Sequence, residues 1–202
     1  MKLYYATGTC SLSPHIVARE AGIDLTLEKV DLTTKKTSSG RDYLAINPKG
    51  YVPTLELDDK RTLTEGPAIV QYLADQKPES GLAPQNGTFE RYKLQEMLNY
   101  ITSELHKTYS PLFKDTTPQE TRDERIAYLQ RRYKFIDHLL EGKNFLFGDR
   151  FTVADAYLFA VTRWAHGAKV DLSELKHLLA FQERVAARPA VKAAMEAEGP
   201  KR

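Results

Sequence analysis

Asn47-Pro48-Lys49-Gly50-Tyr51-Val52-Pro53-Thr54-Leu55 is the stretch that decides how the first part of this 202-residue chain is read. Proline cannot donate to a sheet ladder, so Pro53, at the start of a strand, must sit on a sheet edge. A cis bond before it would turn the Val52 backbone groups outward, free to pair with an extended peptide, although only ~5–6% of X-Pro bonds are cis. Downstream, Val52 to Leu57 and Arg61 to Thr64 read as a hairpin around Asp58-Asp59-Lys60. Gly66-Pro67 then opens a helix as N-cap and first residue, with Ile69, Val70, Tyr72 and Leu73 as its apolar side. Glu65 stands beside that helix start. It either offsets the dipole or works with the free N–H groups to hold both ends of an amino acid, taking the ammonium while the helix takes the carboxyl.

Upstream, Lys2 to Ala6 reads as a strand, and Ser13-Pro14 as the N-cap and first residue of a helix that Gly22 closes. Cys10, the only cysteine, falls between them. A helix N-terminus can draw a thiol pKa from ~8.5 toward ~3.5–7.5, whereas the ordinary lone cysteine is a small buried hydrophobe. Leu25, Leu27 and Val30 mark a second strand, and the polar run 33–43 suggests a loop with an irregular helix. The order is β-α-β-α-β-β-α over residues 1–77.

Residues 78–87 have linker composition, rich in proline and glycine. From 88 to 202 every pattern is helical. Thr88 to Phe113 carries Leu94, Leu98, Ile101 and Leu105 as one buried stripe, and at 100° per residue Asn99, Ser103 and His106 share another face, ordinarily a solvated one. Thr117-Pro118-Gln119-Glu120 reads as a capping box, as does Thr152 with Asp155. Helices around 173–188 and 189–198 follow. The fold class is an α/β domain followed by an all-α helical domain.

Composition narrows the function. With 29 basic and 27 acidic residues the net charge is +2, which argues against nucleic acid and anionic membranes as partners. No apolar run approaches the ~20 residues of a membrane span, and the start turns polar by Thr7, so neither an anchor nor a signal peptide is expected. One cysteine excludes an internal disulfide, and the five histidines show no metal spacing. A cytoplasmic protein without metal is expected.

The chain resembles the glutathione S-transferases, specifically the bacterial beta class with a cysteine near the N-terminus. Its motifs are Gly8-Thr9-Cys10-Ser11-Leu12-Ser13, residues 47–53 above, Leu63-Thr64-Glu65-Gly66-Pro67-Ala68-Ile69, Asn99-Tyr100-Ile101-Thr102-Ser103-Glu104-Leu105-His106-Lys107 and Phe151-Thr152-Val153-Ala154-Asp155-Ala156-Tyr157. Their order and separation cover essentially the whole chain. The resemblance implies a thioredoxin-like N-terminal domain, a helical C-terminal domain and a homodimer. Glutathione is the implied co-substrate, and Pro53 is implied to be cis. Val52 would pair with the cysteinyl part of the peptide, Glu65 and Gly66 with its γ-glutamyl end, and Lys35 with its glycyl carboxylate. Relatives often carry serine or alanine where Gly66 stands.

By the same resemblance, Cys10 and His106 lie near the sulfur, and Asn99, Ser103 and Glu104 touch the peptide, from the same or the partner subunit. Tyr5, Lys107, Tyr157 and Trp164 are candidates for the electrophile pocket, Trp164 otherwise being packing. The implied activity is conjugation of reduced glutathione to small hydrophobic electrophiles, a detoxification chemistry of the EC 2.5.1.18 type. Cys10-Ser11-Leu12-Ser13 also has the C-x-x-S form of a monothiol glutaredoxin, so thiol-disulfide exchange or reductive dehalogenation is the alternative. A non-catalytic ligand carrier is the third reading.

Overall fold

Leu3, on the first strand, is flanked by strands on both sides, and that central placement explains why Leu3, Tyr4 and Tyr5 are all buried. The computed structural model describes residues 1–200. Its first elements are β1 (Lys2–Tyr5), α1 (Leu12–Glu20), β2 (Thr26–Asp31), β3 (Lys36–Thr37), β4 (Thr54–Glu56), β5 (Thr62–Thr64) and α2 (Gly66–Asp75). The five strands form one sheet in the order β3-β2-β1-β4-β5. β1 runs parallel to β2 and antiparallel to β4, with Leu3 opposite Leu27 on one side and Leu55 on the other. Tyr4, Val30, Tyr43 and Val52 make a core cluster, while α1 packs against α2.

Helical elements follow: α3 (Phe89–Tyr100), α4 (Gln119–Leu139), α5 (Val153–Thr162), α6 (Trp164–Gly167), α7 (Lys176–Ala186) and α8 (Pro189–Glu198). Chain contacts divide the protein into two compact units. One is Met1–Ala83 together with the stretch from Arg188 onward, and the other is Pro84–Ala187. The last helix, which composition groups with the helical part, therefore packs with the first unit. Bonds explain it: Arg188 grips Glu20 at 2.7 and 2.8 Å, and the buried His15 ring meets the buried Glu198 carboxylate at 3.1 Å. Arg19 donates to the other His15 nitrogen, so Nδ1–H is the group that faces Glu198.

Six local expectations need correction. Pro53 precedes β4, which lies between β1 and β5 and not on an edge, and the cap of α2 is Glu65, with Gly66 its first residue. No helix occurs in 33–43: the Asp31 carboxylate accepts the Thr33 and Thr34 N–H groups and turns the chain, so that β3 pairs back on β2. Helix α1 begins at Leu12, before Ser13-Pro14, because the Ser13 hydroxyl is spent on the Cys10 carbonyl. At α4 the cap is Pro118, while Thr117 donates to the Pro111 carbonyl instead of capping. Finally, α3 does not run evenly to Phe113; it continues as a π-helical turn (Ile101–His106) and then a 3-10 segment (Lys107–Phe113). Leu94, Leu98, Ile101 and Leu105 are nonetheless all buried. The Thr152/Asp155 capping box is present as read.

Candidate active site

In the first unit the site is assembled from the β1–α1 turn, the loop before β4 and the start of α2. Cys10 sits two residues before α1 and is buried, and its Sγ donates to the Val52 carbonyl at 3.6 Å. Burial pushes its thiol up to about 12; a backbone hydrogen bond works the other way, and the Glu65 and Glu198 charges raise it further. The exposed, acidic thiol expected at a helix N-terminus is therefore not found, because desolvation outweighs the helix field.

The Val52–Pro53 bond is cis. The loop carrying it is held from behind by three buried residues that the sequence reading missed. Asn47 Nδ2 donates to the Tyr51 carbonyl at 2.8 Å and to Thr54 Oγ1 at 3.0 Å. The Tyr43 hydroxyl donates to the same carbonyl at 2.7 Å and meets Thr54 Oγ1 at 2.7 Å. Asn47 stood inside a quoted motif, which was the available signal; Tyr43 had none. Lys35 reaches the same loop from a left-handed backbone (φ 57), its Nζ donating to the Gly50 carbonyl at 2.9 Å beside the Tyr51 ring.

Glu65 has φ 67 and ψ 114, a strained backbone for a non-glycine residue. Its side chain is exposed, and one carboxylate oxygen accepts Lys49 Nζ at 2.7 Å. That ammonium is the same group that an amino acid would bring to the second oxygen. Ala68 and Ile69 N–H both turn back to the Glu65 carbonyl and Pro67 has no N–H, so Gly66 supplies the first-turn donor of α2. A Cβ on Gly66 would meet nothing within 4 Å.

In the helical unit, His106 Nδ1 lies 2.6 Å from the Tyr157 hydroxyl, and the His106 ring meets Trp164 edge-on with centroids 4.9 Å apart. Tyr109 and Phe113 also pack edge-on to Trp164. The π-helical turn rotates His106 into this aromatic cluster, whereas Asn99, Ser103 and Lys107 stay exposed. Ser103 donates to the Asn99 carbonyl. Glu104 is taken up elsewhere, its carboxylate accepting the Tyr128 hydroxyl and pairing with Arg132 at 2.8 Å. Tyr5 is buried in the first unit, where burial and the Glu198 charge raise its pKa. Among the described residues no cluster of three or more His, Cys, Asp or Glu could hold a metal ion, and no helix is long and apolar enough to cross a membrane.

Comparison with known proteins agrees along the whole chain. Residues 7–76 match the glutathione S-transferase N-terminal domain, and residues 100–189 match the C-terminal domain. Glutathione S-transferase GstA of Escherichia coli O157:H7 is 49% identical over 199 residues, 98% of this chain and 99% of the relative. A ternary complex of BphK, a bacterial GST, is 55% identical with a TM-score of 0.97, covering 99% of this chain and 100% of that one. A sphingomonad glutathione S-transferase complexed with glutathione is 43% identical with a TM-score of 0.95, covering 98% of each chain. A bacterial beta class enzyme of Sphingomonas chungbukensis superposes with a TM-score of 0.95 at 44% identity, covering 98% of this chain and 99% of its own. Both domain models and full-length relatives at 49% to 55% identity agree, and the chain belongs to the glutathione S-transferase family.

Proposed function

We propose that this protein conjugates reduced glutathione to small hydrophobic electrophiles, with glutathione as co-substrate. The observation that carries this reading is the convergence at one end of the sheet of Cys10, the Val52 backbone and Glu65 with the Gly66 N–H, a set that offers a tripeptide a thiol contact, a backbone partner and an amino-acid clamp. Lys35, fixed against the Gly50 carbonyl, is assigned to the glycyl carboxylate. The aromatic cluster of His106, Tyr157 and Trp164 is assigned, with Lys107, to the electrophile pocket, and the exposed Asn99 and Ser103 to further peptide contacts.

In this reading the attacking sulfur belongs to glutathione. A Cys10 thiol held neutral by burial is a hydrogen-bond donor, suited to stabilising a thiolate beside it. A resident thiolate nucleophile, which the thiol-disulfide and dehalogenation alternatives require, is what burial opposes. A homodimer is part of the proposal: Phe89, Tyr92 and Phe135 leave large apolar surface exposed on α3 and α4. So is a cytoplasmic location, the compartment where glutathione is kept reduced and a lone cysteine is ordinary.

The test is to assay one purified sample for conjugation of glutathione to 1-chloro-2,4-dinitrobenzene and for reduction of a glutathione mixed disulfide, with Cys10→Ala alongside. Conjugation that largely survives Cys10→Ala, with any reductase activity lost, supports the assignment. Reduction without conjugation would overturn it.

A further inference from the structure

Helix α5 is buried along its whole length, and the Thr152/Asp155 capping box fixes its start just before Tyr157. Tyr157 itself is 1% exposed. Its hydroxyl meets two groups of the π-helical turn, His106 Nδ1 at 2.6 Å and Thr102 Oγ1 at 3.4 Å. Irregular turns of that kind recur at functional sites.

Counting hydrogens assigns the direction of the short bond. The Thr102 hydroxyl spends its one hydrogen on the Leu98 carbonyl at 2.8 Å, so toward Tyr157 it can only accept. At 3.4 Å that contact is longer than the ~2.5–3.0 Å of a hydroxyl donor. The 2.6 Å contact with His106 lies inside that range, and it is shorter than the ~2.7–3.2 Å of an N–H donor. The phenol therefore donates and His106 Nδ1 accepts. A ring nitrogen that accepts carries no hydrogen, so the neutral His106 ring is the Nε2–H tautomer.

Packing keeps that ring from turning over. Trp164 meets it at 4.9 Å and 67°, and the Tyr157 ring meets it at 5.8 Å and 70°. Tyr109 and Phe113 in turn hold Trp164. Reversing the imidazole would put a carbon where Nδ1 now accepts and take that acceptor from a buried phenol.

We propose that Tyr157 is a positioning residue for the conjugation proposed above, on which this role rests. It holds His106 as the Nε2–H tautomer, so that the ring presents a hydrogen-bond donor to the negative charge passing from the glutathione sulfur to the electrophile. The opposite tautomer would present a lone pair, which repels that charge. No covalent step is involved, and the phenol keeps its proton.

The test is ring-nitrogen NMR of the full-length protein carrying isotope-labelled histidine, at pH about 9, where an ordinary histidine is neutral. The His106 signals are identified by their absence from His106→Gln. One bare nitrogen and one protonated nitrogen are expected, with the proton on Nε2. In Tyr157→Phe, which keeps the ring and its packing, the two nitrogens should move toward averaged shifts as both tautomers populate. Its kcat with 1-chloro-2,4-dinitrobenzene should fall roughly three- to tenfold, the scale of one neutral hydrogen bond, with KM for glutathione unchanged. Thr102→Val should alter neither readout, because the Thr102 hydroxyl is spent on Leu98. A proton on Nδ1 in the parent, an unaltered Nε2–H pattern in Tyr157→Phe, or averaged nitrogens with kcat intact would each overturn the proposal. The parent spectrum decides by itself if Tyr157→Phe does not fold. That spectrum is read without turnover, so a parent that shows Nε2–H yet conjugates nothing overturns the proposed function and not the tautomer.

Discussion

Cys10 Sγ donates to the Val52 carbonyl at 3.6 Å, so two residues assigned separate contacts with one peptide are already bonded to each other. A carbonyl oxygen has two lone pairs, and Val52 can accept a peptide N–H as well. Burial keeps the proton on sulfur, and the carbonyl gives that proton an acceptor.

Alkylation should show this directly. With the Cys10 thiol pushed up to about 12 by burial, iodoacetamide labelling of the ligand-free protein, read by mass spectrometry, should keep rising beyond pH ~10, where a free cysteine of pKa ~8.5 has levelled off. Stability follows the same sign. A folded pKa above the unfolded value protects the fold fully below pH ~8.5, and that contribution is lost as pH climbs toward the folded value. Cys10→Ala should flatten the alkaline side of a urea-midpoint profile. A labelling plateau below pH 8.5 would contradict both statements.

Glu65 should separate binding from folding. Glu65→Ala is expected to weaken glutathione by roughly 1.5–3 kcal/mol in calorimetry, the scale of a charge-assisted hydrogen bond. Glu65→Gly should lose binding similarly yet raise stability by about 1 kcal/mol, since glycine relieves the positive φ. Unchanged affinity in a folded Glu65→Ala would remove the residue from the site.

Gly66→Ser should be tolerated and beneficial. The added Cβ meets open space, and a hydroxyl at the first turn of α2 gives a carboxyl one more donor, worth about 1 kcal/mol. Roughly threefold to tenfold tighter glutathione binding is expected. No change would mean that the γ-glutamyl carboxyl does not reach this helix.

Asp155 should matter to folding alone. Its buried carboxylate accepts from the Leu146 N–H, the Thr152 N–H and the Thr152 hydroxyl, each at 2.8 Å. Asp155→Ala should cost about 2–4 kcal/mol by orphaning buried donors. Burial raises the Asp155 pKa to about 6 despite those bonds. The protonated form is thus favoured in the fold, and stability from this group is full below pH ~4 and falls as pH rises through about 6. That acid segment of the stability profile should vanish in the variant, and thermal melts at several pH values would show whether it does.

Strands, the second helix and the Asp155 cap were legible because proline, glycine and alternating apolar residues act over a few positions. The Asn47–Tyr43–Thr54 brace was not, since its members meet only once the loop has folded. Glu104 shares a motif with Ser103 and His106, yet its charge is spent on Arg132, 28 positions later, a pairing no local pattern announces. The π-helical turn at 101–106 defeated the assumption of 100° per residue and moved His106 away from the face shared by Asn99 and Ser103. The helical pattern of 189–198 was legible too, but not that α8 packs on α1.

That last arrangement gives synthesis a timetable. The His15 ring is separated from the Glu198 carboxylate by 183 positions, so at ~5–20 residues per second the ribosome takes roughly ten to forty seconds to deliver its partner. Throughout that interval α1 emerges with one side uncovered and an imidazole without its carboxylate. The unit that leaves the tunnel first is therefore completed last, and premature termination before Arg188 would injure the N-terminal unit rather than spare it.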